Sequence, residues 1–173
     1  MTQTATLGWV ILYVPDVEMA LGFYERAFGF KRGFVDEHAS FGQLQTGETA
    51  LSFATEERAR RELHGPFRRA SLDEEPFNIE LCLVFDDPHE AFRHAIAAGC
   101  TAVAEPEPKP HGQVAGFVRD AFGNLVEIAS PLRPRQLNRR AAWPWCWRAR
   151  QRGTAGPQAA GHPGSACAAA AAP

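Results

Sequence analysis

The sequence predicts an α+β fold made of two consecutive βαβββ modules whose sheets together form a cupped mixed sheet. An apolar run at residues 10–14 leads directly into an amphipathic helical pattern. Three short strand-like segments, separated by turn residues, follow that helix. The same order of elements recurs from residue 79, which indicates an internal repeat. The length of 173 residues is enough for both copies to share one core.

Capping residues mark the helix of the first module. Asp16 is a good N-cap residue, and Glu18 suits the positive first turn of a helix. Apolar residues then follow helical spacing as far as Gly29, which favours the left-handed conformation found at helix ends. The alternating segments after the helix predict strands at residues 31–36, 40–45 and 50–54.

The second module repeats this arrangement with its own caps. Asp87 is the predicted N-cap, Pro88 occupies the first helical position, and Gly99 ends the helix. Apolar and alternating segments predict the strands of this module at residues 79–85, 101–104, 114–119 and 125–129.

These elements predict one domain over residues 7–131, after a leader at 1–6. Module one covers residues 7–54 and module two covers residues 77–131. The linker between them, residues 55–76, begins with a short charged helical segment.

Charge is unevenly distributed along the chain. All 20 acidic residues lie at or before Glu127, together with 11 of the 18 basic residues, so this part carries a net charge of −9. An acidic body of this kind is unsuited to binding nucleic acid. The remaining seven arginines fall in residues 132–173, which are rich in Ala, Gly and Pro, and this composition predicts a disordered tail. An arginine–tryptophan arm that contacts a membrane surface or RNA is the alternative for this tail.

Cysteine usage and hydropathy favour a cytoplasmic protein. The four cysteines show no CxxC spacing and fit free thiols in a reducing compartment. No apolar run approaches the roughly 18 residues of a membrane-spanning helix. The first residues, MTQTATLGWV, do not have the pattern of a signal peptide.

Two motifs resemble one known family. LYVPDVEMALGFYERAFGF near the start and VRDAFGNLVEIASP near the end are similar to the vicinal oxygen chelate superfamily, which includes glyoxalases, bleomycin-resistance proteins and extradiol dioxygenases. The resemblance implies paired βαβββ modules that form a cup for a small molecule. It also suggests a homodimer.

The resemblance also indicates where metal ligands lie in metal-dependent members. Matching the motifs by their spacing places those four positions at Trp9, Leu51, Glu80 and Glu127. An indole and a leucine side chain cannot ligate a metal, so the sequence predicts no metal cofactor. A divalent metal held by Glu80 and Glu127 is the alternative, because two carboxylates with waters suit a hard cation.

Strand alternation predicts the lining of the cup. The residues that share its face in this reading are Trp9, Tyr13, Leu51, Phe53, Glu80, Cys82 and Glu127. An apolar and aromatic lining with two acids is typical of a small-molecule pocket. His111, in a loop before a strand, is a further candidate at the rim.

Glu127 is the candidate catalytic residue. If Glu80 approaches it, like-charge repulsion raises one pKa and lets that carboxyl carry a proton. The structural alternative is that Glu127 pairs with an arginine or faces solvent.

Three functions therefore compete. The first is a metal-independent binding protein that holds a small aromatic or cationic molecule. The second is a divalent-metal-dependent glyoxalase-like lyase, an isomerase or a dioxygenase that uses Glu80 and Glu127. The third is a structural or regulatory domain with an empty cup. The sequence favours the first.

Overall fold

The computed structural model describes residues 5–132, and these residues form the predicted α+β fold. The predicted order of elements is confirmed in both modules. The elements are β1 Trp9–Val14, α1 Val17–Phe28, β2 Lys31–Val35, β3 Phe41–Gln45, β4 Ala50–Thr55, α2 Glu56–Leu63, β5 Glu80–Val84, α3 Pro88–Ala97, β6 Thr101–Pro108, β7 Val114–Arg119 and β8 Leu125–Ala129. The predicted tail lies outside the described residues.

The eight described strands form two four-stranded sheets of the same topology. The order is β1-β4-β3-β2 in the first sheet and β5-β8-β7-β6 in the second. The first strand of each module pairs in parallel with the last strand, and the other neighbours are antiparallel. This correspondence confirms the internal repeat and lets equivalent positions be matched by register.

The predicted caps set the helix boundaries. Asp16 accepts a hydrogen bond from the backbone N–H of Met19 at 2.7 Å, and Gly29 ends α1 with a φ of 72°. Asp87 caps α3 in the same way, accepting from the backbone N–H of Glu90 at 3.0 Å. Gly99, with a φ of 109°, follows the end of α3.

The helices α1 and α3 pack against each other and against their own sheets, so both modules contribute to one core. A buried hydrogen bond joins the modules: the Tyr24 hydroxyl of α1 donates to Asp120 Oδ2, just after β7, at 2.8 Å. Burial, followed by the nearby Asp120 charge, raises the Tyr24 pKa well above its usual value. Each sheet therefore has one face against α1 or α3 and one face directed away from these two helices.

Within residues 5–132, no helix is both long enough and apolar enough to cross a bilayer.

Candidate functional site

The face of the first sheet that points away from the helices carries three large side chains of β1. Trp9, Ile11 and Tyr13 alternate with inward-facing residues, and Trp9 is 60% exposed. Tyr13 packs against Phe67 of the linker, with 5.0 Å between ring centroids. We call the side formed by Trp9, Ile11, Tyr13 and Ser52 the first open face.

The prediction that Leu51 and Phe53 share this face is wrong. In β4 they pair with Val10 and Leu12, and side chains of paired residues lie on the same side of a sheet. Phe53 is fully buried, with its ring centroid 4.9 Å from that of Tyr24 in α1. Both residues therefore face the helices.

Ser52, and not Leu51, occupies the position in the first sheet that is equivalent to Glu127 in the second. It pairs with Ile11, as Glu127 pairs with Cys82 in the second sheet, so Ser52 and Glu127 are equivalent by register. Its side chain is fully buried, and its hydroxyl has no hydrogen-bond partner among residues 5–132. Sequence reasoning missed this buried polar group.

The second sheet has a matching face that is more polar. Its side chains away from the helices come from β5, β7 and β8, and we call this set the second open face: Glu80, Cys82, Val84, Phe117, Leu125 and Glu127. The pKa of the Cys82 thiol is raised to about 12, first by burial and then by the neighbouring carboxylates of Glu127 and Glu80. Cys82 therefore stays a protonated thiol at neutral pH and is a poor nucleophile.

Neither carboxylate of the second open face has a basic partner within the described part of the chain. No arginine or lysine nitrogen of residues 5–132 lies within 4.0 Å of Glu80 or Glu127. Of the two structural alternatives for Glu127, an ion pair and contact with solvent, the second agrees with its partly exposed side chain. Both acids are free to bind a positive group.

Arg119 has a structural role. Its side chain is buried, and its guanidinium donates to three backbone carbonyl oxygens: Ser71 at 2.6 Å, Gly123 at 2.8 Å and Glu74 at 3.1 Å. Two of these carbonyls belong to the linker. Arg119 therefore fastens the linker to the end of β7 and leaves the acids of the face unpaired.

A cavity of about 580 Å³ is lined by residues of both modules, chiefly of β5 and of the segments 28–30 and 46–51. Three predicted ligand-binding residues line it: Leu51, Glu80 and Cys82. The rest of its wall is largely apolar and includes Val10, Phe28, Phe30, Leu81, Leu83, Val84 and Phe85, with Thr46 and Thr49 as polar members. A smaller cavity of about 100 Å³ adjoins the same strands near Phe77 and Ile79. We call the larger one the inter-module cavity.

The other predicted residues lie outside this cavity. Trp9, Tyr13 and Glu127 are on the open faces, and Phe53 is in the core. His111 lies in the exposed turn before β7, where its Nε2 is 3.0 Å from Gln113 Oε1. A third cavity, of about 680 Å³, is next to the start of α3 and is lined by Asp86, Asp87, His89 and Ser130 among others, without His111.

The residues present do not fit the metals that this fold often binds. When strand register is used in place of sequence spacing, the four positions that carry metal ligands in metal-dependent relatives hold Trp9, Ser52, Glu80 and Glu127. An indole N–H cannot ligate, and a hydroxyl is a weak ligand beside the imidazole and carboxylate sets that hold Zn²⁺, Ni²⁺ or Fe²⁺. In the part of the chain that the structure describes, no three His, Cys, Asp or Glu side chains are grouped for a metal ion.

Two βαβββ modules joined in one core, each with a sheet face directed away from α1 and α3, define a small α+β protein. The sequence matches the model of the Glyoxalase/Bleomycin resistance protein/Dioxygenase superfamily over residues 6–128. The chain belongs to this superfamily, which confirms the resemblance of its two motifs.

Several solved structures share this fold at low sequence identity. A glyoxalase-related enzyme from Fulvimarina pelagi is 19% identical, with a TM-score of 0.63 over 74% of this chain and 89% of that one. The hypothetical protein SA1046 from S. aureus is 18% identical, with a TM-score of 0.62 over 75% of this chain and 96% of its own. TioX from Micromonospora sp. ML1 is 22% identical, with a TM-score of 0.54 over 73% and 98%. No curated protein matches the sequence.

Proposed function

We propose that this domain binds a small aromatic or cationic molecule without the usual metal, in the inter-module cavity and against the second open face. The observation that carries the proposal is the cavity itself. Its volume of about 580 Å³ falls in the range of small-molecule sites, roughly 300–1,000 Å³, and its apolar wall includes a single carboxylate, Glu80.

The charge of the site favours a positive ligand. Glu80 and Glu127 have no basic partner within 4.0 Å among the described residues. A planar body fits the apolar and aromatic wall, and a positive group on its edge reaches the carboxylates. A hydrogen bond to a charged partner contributes about 1.5–3 kcal/mol, so Glu80 is expected to dominate recognition.

Titration of the full chain with proflavine, a planar cationic dye, tests the proposal by fluorescence. Glu80→Gln is expected to weaken binding by about 10-fold or more, from the loss of one charged hydrogen bond. Glu127→Gln is expected to weaken it as well, to a smaller extent. The control is Glu37→Gln, an exposed acid in the turn between β2 and β3. If Glu80→Gln binds the dye as tightly as Glu37→Gln does, the proposed site is wrong.

A second candidate is an enzyme that uses Glu80 and Glu127, as a glyoxalase-like lyase, an isomerase or a dioxygenase. The observation in its favour is that both acids lie on one face, on neighbouring strands β5 and β8. Glu127 is then the proposed proton carrier. Elemental analysis after dialysis separates the two functions: metal retained at one per chain, and lost in Glu80→Gln, favours the enzyme over the metal-free binder.

We also propose that the protein is a homodimer and is cytoplasmic. Exposed apolar side chains of the first open face, such as Trp9 and Ile11, are typical of a surface that a partner covers. Cys82 and Cys100 are free thiols, as expected in a reducing compartment. Sedimentation equilibrium measures the oligomeric state, and a fluorescent fusion locates the protein.

A further inference from the structure

The second open face is an exposed surface with unpaired acids beside apolar groups. Glu80 is exposed, Val84 is 58% exposed, and Phe117 lies next to Glu127 in the register of β7 and β8. Two basic side chains lie beside it. Arg119, which pairs with Leu125 in the register of β7 and β8, donates to three backbone carbonyls. Lys109 has its Nζ 5.5 Å from the Phe117 ring centroid and 2.8 Å from Glu107 Oε1. Because both basic groups are engaged elsewhere, Glu80 and Glu127 have no basic partner among residues 5–132.

The described chain ends beside this face. Ala129, the last residue of β8, pairs with Val84, and the backbone N–H of Ser130 donates to the Val114 carbonyl at 2.8 Å. Ten residues lie between Leu132 and Trp143, and the eleven steps from one to the other span at most about 36 Å. The four steps of β8 from Ala129 back to Leu125 cover only about 13 Å. The chain beyond residue 132 therefore has the length to fold back across the face.

The segment 143–150, WPWCWRAR, carries basic and aromatic side chains that complement the acidic and apolar side chains of this face. It contains three tryptophans and two arginines, within a stretch from residue 133 to 173 that has seven arginines and no acid. The rest of the chain carries a net charge of −9. Arginine pairs with carboxylates and stacks on aromatic rings, and tryptophan covers apolar side chains.

The first open face is a poor alternative for the same segment. Its side chains, Trp9, Ile11, Tyr13 and Ser52, include no carboxylate that could pair with an arginine. The linker also covers part of that face, since Phe67 packs on Tyr13. The lack of an acid and the existing cover both disfavour a basic segment there.

We propose that segment 143–150 docks on the second open face of its own chain, with its arginines at Glu80 and Glu127 and its tryptophans against Val84 and Phe117. Tethering keeps the segment at a high effective concentration, so weak contacts suffice. The docking itself does not depend on the proposed ligand.

Paramagnetic relaxation in the full chain tests this contact directly. The variant Cys82→Ser/Cys167→Ser retains Cys146 for a nitroxide label, while Cys100 is only 7% exposed. Docking is expected to remove the amide signals of residues 80–84 and 125–129 from the NMR spectrum of the spin-labelled protein. Salt at about 1 M is expected to restore these signals, because a Debye length of about 3 Å screens the charge pairs that hold the segment. A label on Cys167, in Cys82→Ser/Cys146→Ser, is the matched control. Signal loss elsewhere, or the same loss from both labels, overturns the proposal.

Charge-reversal variants on both sides of the contact distinguish a loss of docking from a loss of the fold. Glu80→Lys/Glu127→Lys and Arg148→Glu/Arg150→Glu are each expected to abolish the effect, and their combination is expected to restore it. Failure of the combination to restore the signal loss overturns the proposal. Mixing isotope-labelled protein with spin-labelled, isotope-free protein tests for binding to a second copy, and signal loss in that mixture also overturns it. No dye is present, so failure of proflavine binding and failure of docking are separate results.

Discussion

Replacing Tyr24 with Phe removes the hydrogen bond that joins the two modules. The Tyr24 hydroxyl donates to Asp120 Oδ2 at 2.8 Å, and both side chains are fully buried. Asp120 keeps three other donors, from the backbone of Phe122 and from the backbone and side chain of Asn124. A hydrogen bond to a charged acceptor contributes about 1.5–3 kcal/mol, so we expect the free energy of unfolding to fall by about 2 kcal/mol.

Urea unfolding of the full chain measures this loss. With a dependence of about 2 kcal/mol per molar urea, the midpoint is expected to fall by about 1 M. Tyr13→Phe is the matched control, because it removes the same atom from the other tyrosine of the chain, which is 39% exposed. Its effect is expected to stay within about 0.5 kcal/mol. Equal midpoints for the two variants would refute the assigned role of the buried bond.

Three further predictions follow from local geometry. Gly123→Ala is expected to lower the unfolding midpoint more than Gly47→Ala. Both glycines have a positive φ, but a Cβ at Gly123 would lie 2.5 Å from the backbone of the linker, whereas a Cβ at Gly47 would have no atom within 4 Å. Arg119→Lys is expected to speed proteolysis of the linker, because one ammonium cannot bond all three carbonyls; an unchanged cleavage rate would contradict this. Glu127→Gln is expected to lower the Cys82 pKa and so speed its alkylation by iodoacetamide at pH 8; an equal or slower rate would contradict the pairing.

Local signals were sufficient to predict most of the fold. Asp16 and Asp87 are followed by apolar residues at helical spacing, and the structure places them at the two N-caps. The strand β6 extends further than expected, to Pro108, although Pro106 and Pro108 argue against a strand. It pairs with β7 alone, and an edge strand tolerates proline because one side of its backbone needs no partner.

The candidate site was predicted less well, because register decides which face a residue occupies. Counting four residues from Gly47 gave Leu51, whereas the pairing with β1 puts Ser52 on the open face. A shift of one residue reverses every side chain of a strand. The apolar alternation of Leu51 and Phe53 already indicated a core-facing strand. The inter-module cavity depends on contacts between distant segments, which no local pattern in the sequence contains.

The link between Tyr24 and Asp120 makes the two halves of this duplicated protein depend on each other. By the repeat, Tyr24 corresponds to Ala95, and Asp120 corresponds to Thr46. The bond therefore occurs once, between unlike halves. A chimera with two first halves would keep the phenol and lose its carboxylate acceptor, and one with two second halves would bury a carboxylate without that donor. The two repeated halves are therefore not interchangeable.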